Sequence, residues 1–221
     1  RPDGGRLRQD RGFKSERSRP DGSVRAGHST EVRMGRLILN CDLGENEPLE
    51  LTEKILSLVD AASIGCGFHA GGPEKTRATI KLALKHQVKI GAHPGIPEAG
   101  GRGGQVPDPH SFRELLEIQI GAFQAATRSL GVSADYIKLH GSLYHAVETQ
   151  AILAEVFIDF VDRHSPDSAV FALAGAGFAR RAESAGLRVY HEAFADRDYL
   201  GDGSLVPRSE AGAVLTKEDA L

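Results

Sequence analysis

The sequence predicts an α/β protein built on a mainly parallel sheet. Short apolar runs alternate with stretches of helical periodicity from residue 34 onward, and such βαβα alternation gives parallel strands joined by right-handed crossovers. Glycines gather where several runs end, most densely at Gly65, Gly67, Gly71 and Gly72, where a strand must turn sharply into a helix. Titratable residues follow the strands and are sparse before them. In a parallel sheet all of those ends lie on one side. The alternation alone fits both a barrel-like closure and an open, doubly wound sheet.

The bulk numbers bound the class. A chain of 221 residues suits one α/β domain, and a hydrophobic fraction of 40% supports a core. No run approaches the roughly 20 apolar residues needed to cross a membrane, and no secretory leader pattern is present. Cys41 and Cys66 make no disulfide framework, so a cytoplasmic protein with reduced thiols is expected. Residues 1–33 carry nine basic and five acidic side chains and almost no apolar ones, and are expected to be a disordered, non-native tail with Met34 as the start. Residues 34–221 then carry a net charge of −7 as a single domain, which argues against nucleic acid as the main partner.

Taken in order, Leu37 to Cys41 reads as the first strand and Leu49 to Ala61 as a helix. Ala61 to Ile64 is the second strand, followed by the turn Gly65-Cys66-Gly67-Phe68-His69-Ala70-Gly71-Gly72-Pro73 and a helix over Glu74 to Gln87. Val88 to His93 is the third strand, followed by a loop through Asp108 and a helix from His110 to Leu130. Tyr136 to His140 is the fourth strand, with a helix over Ala151 to Arg163. Ala169 to Ala174 is the fifth, a short helix covers Phe178 to Ala185, and Leu187 to His191 is the sixth.

The strand ends carry the chemistry. The first supplies Asn40, Asp42 and Glu45, the second His69, the third His93, the fourth Lys138 and His140, and the sixth His191, Glu192, Asp196 and Arg197. Asp42, His69 and His93 make a ligand set suited to a divalent metal, and equally a hydrogen-bonded network without one. Lys138 is placed to stabilise an oxyanion or phosphate, or to pair with Asp42 or Glu45. Cys66, deep in a glycine turn, reads as a small buried residue rather than a nucleophile. There is no G-x-S-x-G elbow and no P-loop lysine.

Five blocks together resemble a known family: Leu39-Asn40-Cys41-Asp42-Leu43-Gly44-Glu45, Cys66-Gly67-Phe68-His69-Ala70-Gly71, Gly91-Ala92-His93-Pro94, Lys138-Leu139-His140-Gly141-Ser142-Leu143-Tyr144 and Glu192-Ala193-Phe194-Ala195-Asp196-Arg197. They resemble the signature blocks of the lactam-utilisation (LamB/YcsF) family. The resemblance implies a (β/α)7 TIM-like barrel of the glycoside hydrolase/deacetylase type. It implies ATP-dependent cleavage of the lactam of 5-oxoproline to glutamate, with ATP and magnesium, by one component of a 5-oxoprolinase that works with partner subunits B and C. By position, Asp42, Glu45, His69, His93, Lys138, His140, Asp196 and Arg197 match the family's site, with Gly67, Gly71 and Gly141 as expected cofactor contacts. Gly72 stands where the family usually has Asp, the loop over residues 95–104 differs, and the family's last strand is missing from this chain.

Overall fold

The computed structural model describes residues 36–97 and 105–216; the expected disordered tail of residues 1–33 lies outside them. The elements are β1 (Asn40–Leu43), α1 (Leu49–Leu56), β2 (Ala61–Gly65), α2 (Pro73–Lys85), β3 (Lys89–His93), α3 (Pro109–Arg128), β4 (Tyr136–Ile137), α4 (Gly141–Thr149), α5 (Ala151–His164), β5 (Ala169–Leu173), α6 (Gly177–Ser184) and β6 (Val189–Glu192). Residues 37–221 form one unit by internal contacts. Among the described residues no helix is long and apolar enough to cross a membrane.

The sheet order is β1-β2-β3-β4-β5-β6, with every neighbouring pair parallel. A doubly wound sheet requires a reversal of strand order, and there is none, so the open alternative is excluded. Successive right-handed crossovers that always step the same way put the helices on one face. The other face curls inward. Lys138, just beyond β4, donates to Asn40 and Asp42 on β1 at 3.2 and 3.0 Å and to Glu192 on β6 at 2.6 Å. In a flat sheet, five strand spacings of about 4.8 Å would hold β1 and β6 about 24 Å apart. The six strands therefore make a curled half-barrel of the TIM-like kind. A seventh strand is not among the described residues.

Strand periodicity splits the core. Ala62, Ile64, Ile90, Ala92, Ile137, Val170 and Ala172 face outward into the main core under the helices. Ala61, Tyr136, Ala169 and Phe171 face inward with Ile38 and Tyr190 and plug the concave side. The longest helix, α3, shows how the outer layer is held: Phe112, Leu116, Ile120 and Phe123 recur at helical spacing and are fully buried. Each contributes about 1.5–3 kcal/mol on burial. Asp108 caps that helix, accepting from the N–H groups of His110 and Ser111.

Several elements differ from the sequence expectation: β4, expected over Tyr136 to His140, ends at Ile137, and β6, expected over Leu187 to His191, runs from Val189 to Glu192. β1 starts three residues later, because Leu37 and Leu39 are exposed. α1 stops at Leu56, where the C-cap at Ser57 begins the turn into β2. The helix α4 has no counterpart in the expected elements. It opens on Gly-Ser, which hid the spacing of Leu143, Tyr144, Ala146 and Val147, its buried face.

The concave plug gives a stability test. Tyr136 shares a 3.3 Å hydrogen bond with Ser63 and packs edge-on against Phe171. A Cβ on Gly91 would overlap its ring. Gly91→Ala should cost at least the ~1–3 kcal/mol of overpacking and lower Tm by several degrees. Gly121→Ala, in α3 with open space around it, should leave Tm unchanged or raise it by about 1–3 °C. Equal Tm for the two variants would mean that the ring does not fill this position.

Candidate active site

The concave side changes character along its length. Below lies the Tyr136–Phe171–Tyr190 aromatic layer. Above it, at the C-terminal ends of the strands, stand Asp42, His93, Lys138 and Glu192, each two residues from a concave-facing position on its own strand. Lys138 Nζ lies 5.9 and 5.4 Å from the Phe171 and Phe194 ring centroids. A dry aromatic floor therefore meets a buried charge.

Lys138 is almost wholly buried and its three ammonium protons go to Asn40, Asp42 and Glu192. Of the two roles the sequence left open, pairing is the one observed, with Asp42 and Glu192 rather than Glu45 as partners. Burial works against the charged lysine, but the two carboxylates outweigh it and raise its pKa. Burial likewise pushes the Asp42 carboxyl up, and His93 and Lys138 more than offset this, holding it well below the usual range.

The histidines meet beside this network. His93 Nδ1 lies 2.7 Å from the Lys138 carbonyl oxygen, which can only accept, so Nδ1 carries the proton and Nε2 presents a lone pair. His140 Nδ1 is 2.8 Å from that Nε2. The rings of His69 and His140 stack at 3.9 Å, 6° from parallel. His69 Nε2 donates to Glu45 Oε1 at 3.0 Å. Glu45 is held by the loop after β1, where Glu47 accepts from the Gly44 and Glu45 N–H groups and from Thr52. Burial raises the Glu45 carboxyl, and the hydrogen bond from His69 with the neighbouring His93 and His140 lowers it further than burial raises it.

Glu45, His69, His93 and His140 are the group whose ligand atoms converge, all within 4.8 Å of one another. Of the expected metal trio of Asp42, His69 and His93, the two histidines belong to this group; Asp42 lies beside it, bonded to Lys138 through Oδ1 with Oδ2 3.4 Å from His93 Nε2. Six expected residues, Asp42, Glu45, His69, His93, Lys138 and His140, come together. Asp196 does not: it is exposed and contributes a backbone carbonyl to Leu215. Arg197 is buried beside the cleft, but its guanidinium donates to the carbonyls of Ala213 and Val206 and so ties down the C-terminal loop.

The glycines are also reassigned. A Cβ on Gly71 would lie 2.5 Å from the Gly44 carbonyl, and Gly67 closes its own turn onto Ala70. Gly71 is required by packing of the β1 and β2 turns on each other, and Gly67 by its φ of +99. Gly141, with φ +53, opens α4 and does line the cleft. The departing loop at 95–104 falls partly outside the described residues.

Glu192 and Asn40 follow their strands in the sequence but stand outside the set matched to the family's site, and the structure brings both onto Lys138. Glu192, two residues after the inward-facing Tyr190, is buried, whereas His191 is exposed and bonded to Glu183. Glu192 Oε2 and Tyr144 Oη are buried without hydrogen-bond partners among the described residues. Burial and the adjacent Glu192 push the Tyr144 phenol upward.

The cleft over this cluster has a volume of about 70 Å³ and is lined by Asp42, His93, Lys138, His140 and Tyr144 among others. It adjoins a second cavity of about 330 Å³, lined also by Ser142 and Pro207, which shares Gly141, His145, Arg197, Leu205 and Arg208 with the first.

Comparison with known proteins agrees with this architecture. Residues 37–221 match the model of the LamB/YcsF family. The A subunit of 5-oxoprolinase from Bacillus licheniformis is 39% identical over 191 residues, spanning 84% of this chain and 76% of that protein. Its counterpart from Pyrococcus abyssi is 38% identical over 84% of this chain and 75% of its own length. The crystal structure of the lactam utilization protein from Thermus thermophilus superposes with a TM-score of 0.76 at 34% identity, covering 84% of this chain and 78% of that one.

The charge network can be tested by stability. Lys138→Met leaves Asp42 and Glu192 without their cation, and breaking a buried pair costs about 3–5 kcal/mol. Tm should fall by about 10 °C, whereas Lys89→Met, an exposed partner of Asp135, should change it little; equal losses would remove the network from the account. Because the folded Asp42 pKa is depressed, its contribution is complete above the ordinary Asp value of about 3.9. It is lost as the pH falls through the lower folded value. Thermal melts from about pH 5 downward should therefore be steeper for the wild type than for Asp42→Asn, and parallel curves would contradict the assignment.

Proposed function

This chain belongs to the LamB/YcsF family, and from that premise we propose that it serves as the A subunit of a 5-oxoprolinase. In this role it opens the lactam of 5-oxoproline to glutamate in an ATP-driven, magnesium-requiring reaction, together with subunits B and C. The setting is the cytoplasm, where thiols such as Cys41 and Cys66 stay reduced. The observation that carries the proposal is the convergence of Asp42, Glu45, His69, His93, Lys138 and His140 on one concave end beside a cavity of about 330 Å³. That volume lies in the range of small-molecule sites, about 300–1,000 Å³.

The chemistry suits the residues. A five-membered lactam is an unactivated amide. Phosphorylation of its carbonyl oxygen by ATP, with release of ADP, makes the carbon more electrophilic. Water, deprotonated as it is delivered, adds to that carbon; the C–N bond then breaks as the ring nitrogen takes up a proton, and hydrolysis of the resulting acyl phosphate releases phosphate and leaves glutamate. Glu45, partly exposed to solvent and flanked by three imidazoles, is a base placed to deprotonate that water. His93, its tautomer fixed by the Lys138 carbonyl, and His140 relay the proton. Lys138 acts by holding Asp42 and Glu192 and by its field, since its donors are engaged. Arg208 and His145 line the adjoining cavity and suit an anionic substrate group.

A second reading, a stand-alone metal-dependent amide or ester hydrolase, draws on the same Glu45–histidine group. It requires turnover without ATP or partners.

Glutamate release from 5-oxoproline, measured with ATP and subunits B and C, separates the two. Release should require ATP and all three subunits, and Glu45→Gln should lower kcat by about 10²–10⁴-fold. Absence of ATP-dependent release, or hydrolysis of acetylated amides by this chain alone, would overturn the proposal.

A further inference from the structure

We propose that Tyr144 Oη and Glu192 Oε2 form a donor–acceptor pair that recognises the amide edge of a lactam, the phenol donating to the carbonyl oxygen and the carboxylate accepting from the ring N–H. The inference rests on the 5-oxoprolinase reading for its substrate class, and deepens it by naming the groups that select a cyclic amide.

The pair is singled out by its bonding. Tyr144 and Glu192 are buried, at 7% and 4% exposure, and neither Tyr144 Oη nor Glu192 Oε2 has a hydrogen-bond partner among the described residues. A buried polar atom left unpaired is destabilising. Two such atoms on neighbouring side chains beside the candidate active site mark a place where a ligand supplies the missing bonds.

Position agrees. Tyr144 lines the cleft of about 70 Å³ together with Lys138 and Phe194. Its ring packs edge-on against Phe194 with the centroids 5.9 Å apart. Lys138 Nζ, which holds Glu192 through Oε1 at 2.6 Å, lies 5.4 Å from the centroid of the same Phe194 ring. The narrow cleft suits the flat edge of an amide, and the adjoining cavity of about 330 Å³ has room for the rest of the ring and its substituent.

The protonation states are those the pair needs. Burial and the neighbouring Glu192 push the Tyr144 phenol upward, so it keeps its proton and can donate. Glu192 is paired with the Lys138 ammonium, and an ionised carboxylate can only accept. A five-membered lactam holds its amide cis, with the C=O acceptor and the N–H donor on one edge. The trans amide of an open chain points them to opposite sides. One donor beside one acceptor therefore matches the lactam and not the open amide. A lactone, which lacks the N–H, would leave Glu192 Oε2 unpaired.

Calorimetry on the full chain with subunits B and C, without ATP so that no ligand is consumed, tests this with three ring compounds: 5-oxoproline, its N-methyl derivative and the corresponding lactone. 5-Oxoproline should bind at least about tenfold more tightly than either analogue, the scale of one buried group left unpaired. Tyr144→Phe keeps the ring against Phe194 and removes only an unpaired hydroxyl, so its Tm should not fall. It should bind 5-oxoproline and the lactone at least about tenfold more weakly than the wild type does, because both carry the carbonyl. Equal affinities for lactam and lactone, or unchanged affinities in Tyr144→Phe, overturn the proposal, as does a wild type that binds no 5-oxoproline. The expected affinities without ATP-dependent glutamate release would overturn the proposed function and leave the pair standing. Release with lactam and lactone bound equally would remove the pair alone.

Discussion

One buried ammonium ties the half-barrel together. Lys138 leaves the end of β4 and bonds to side chains on both edge strands, Asn40 and Asp42 on β1 and Glu192 on β6. A lysine costs several kcal/mol to desolvate, and this one lies over aromatic rings that offer it little solvation. Only the carboxylates compensate it. They can do so only if the sheet curls enough to bring its first and last strands to the same atom. The concave shape, the low Asp42 pKa and the closeness of His93 to that carboxylate follow from this one constraint.

The histidine group depends on it in turn. The Lys138 backbone carbonyl fixes the tautomer of His93, while its side chain holds Asp42 Oδ1 and leaves Asp42 Oδ2 3.4 Å from His93 Nε2. Asp42 and Glu45 both remain partly open to solvent, Asp42 bonded to Lys138 and Glu45 to His69, while Glu192 is buried against the ammonium.

Much of this was legible in the sequence, for physical reasons. Period-two alternation is local, so the placement of Tyr136, Lys138 and His140 on one face could be read directly, as could Asp42 and His93. The direction of the strands made their ends converge. What was not legible depends on longer-range packing. His191 and Glu192 both follow an apolar run, and only the register of β6 decides which one turns inward. Asp196 and Arg197 lie past the strand, where the path of the chain is set by carbonyls from residues 206 and 213. Gly71 looked like an opening for a ligand, but it accommodates the backbone of Gly44. Helix α4 was masked by its glycine start.

The dependence of the fold on the shared ammonium is measured most directly by a double-mutant cycle between Lys138 and Glu192. Urea unfolding of the wild type, Lys138→Met, Glu192→Gln and the double variant gives their coupling free energy. If one buried cation holds both edges of the sheet, the coupling should be about 1–3 kcal/mol, with the double variant much less destabilised than the sum of the single changes. Additivity within about 0.5 kcal/mol would contradict the account, because the two edges would then be held together by something else.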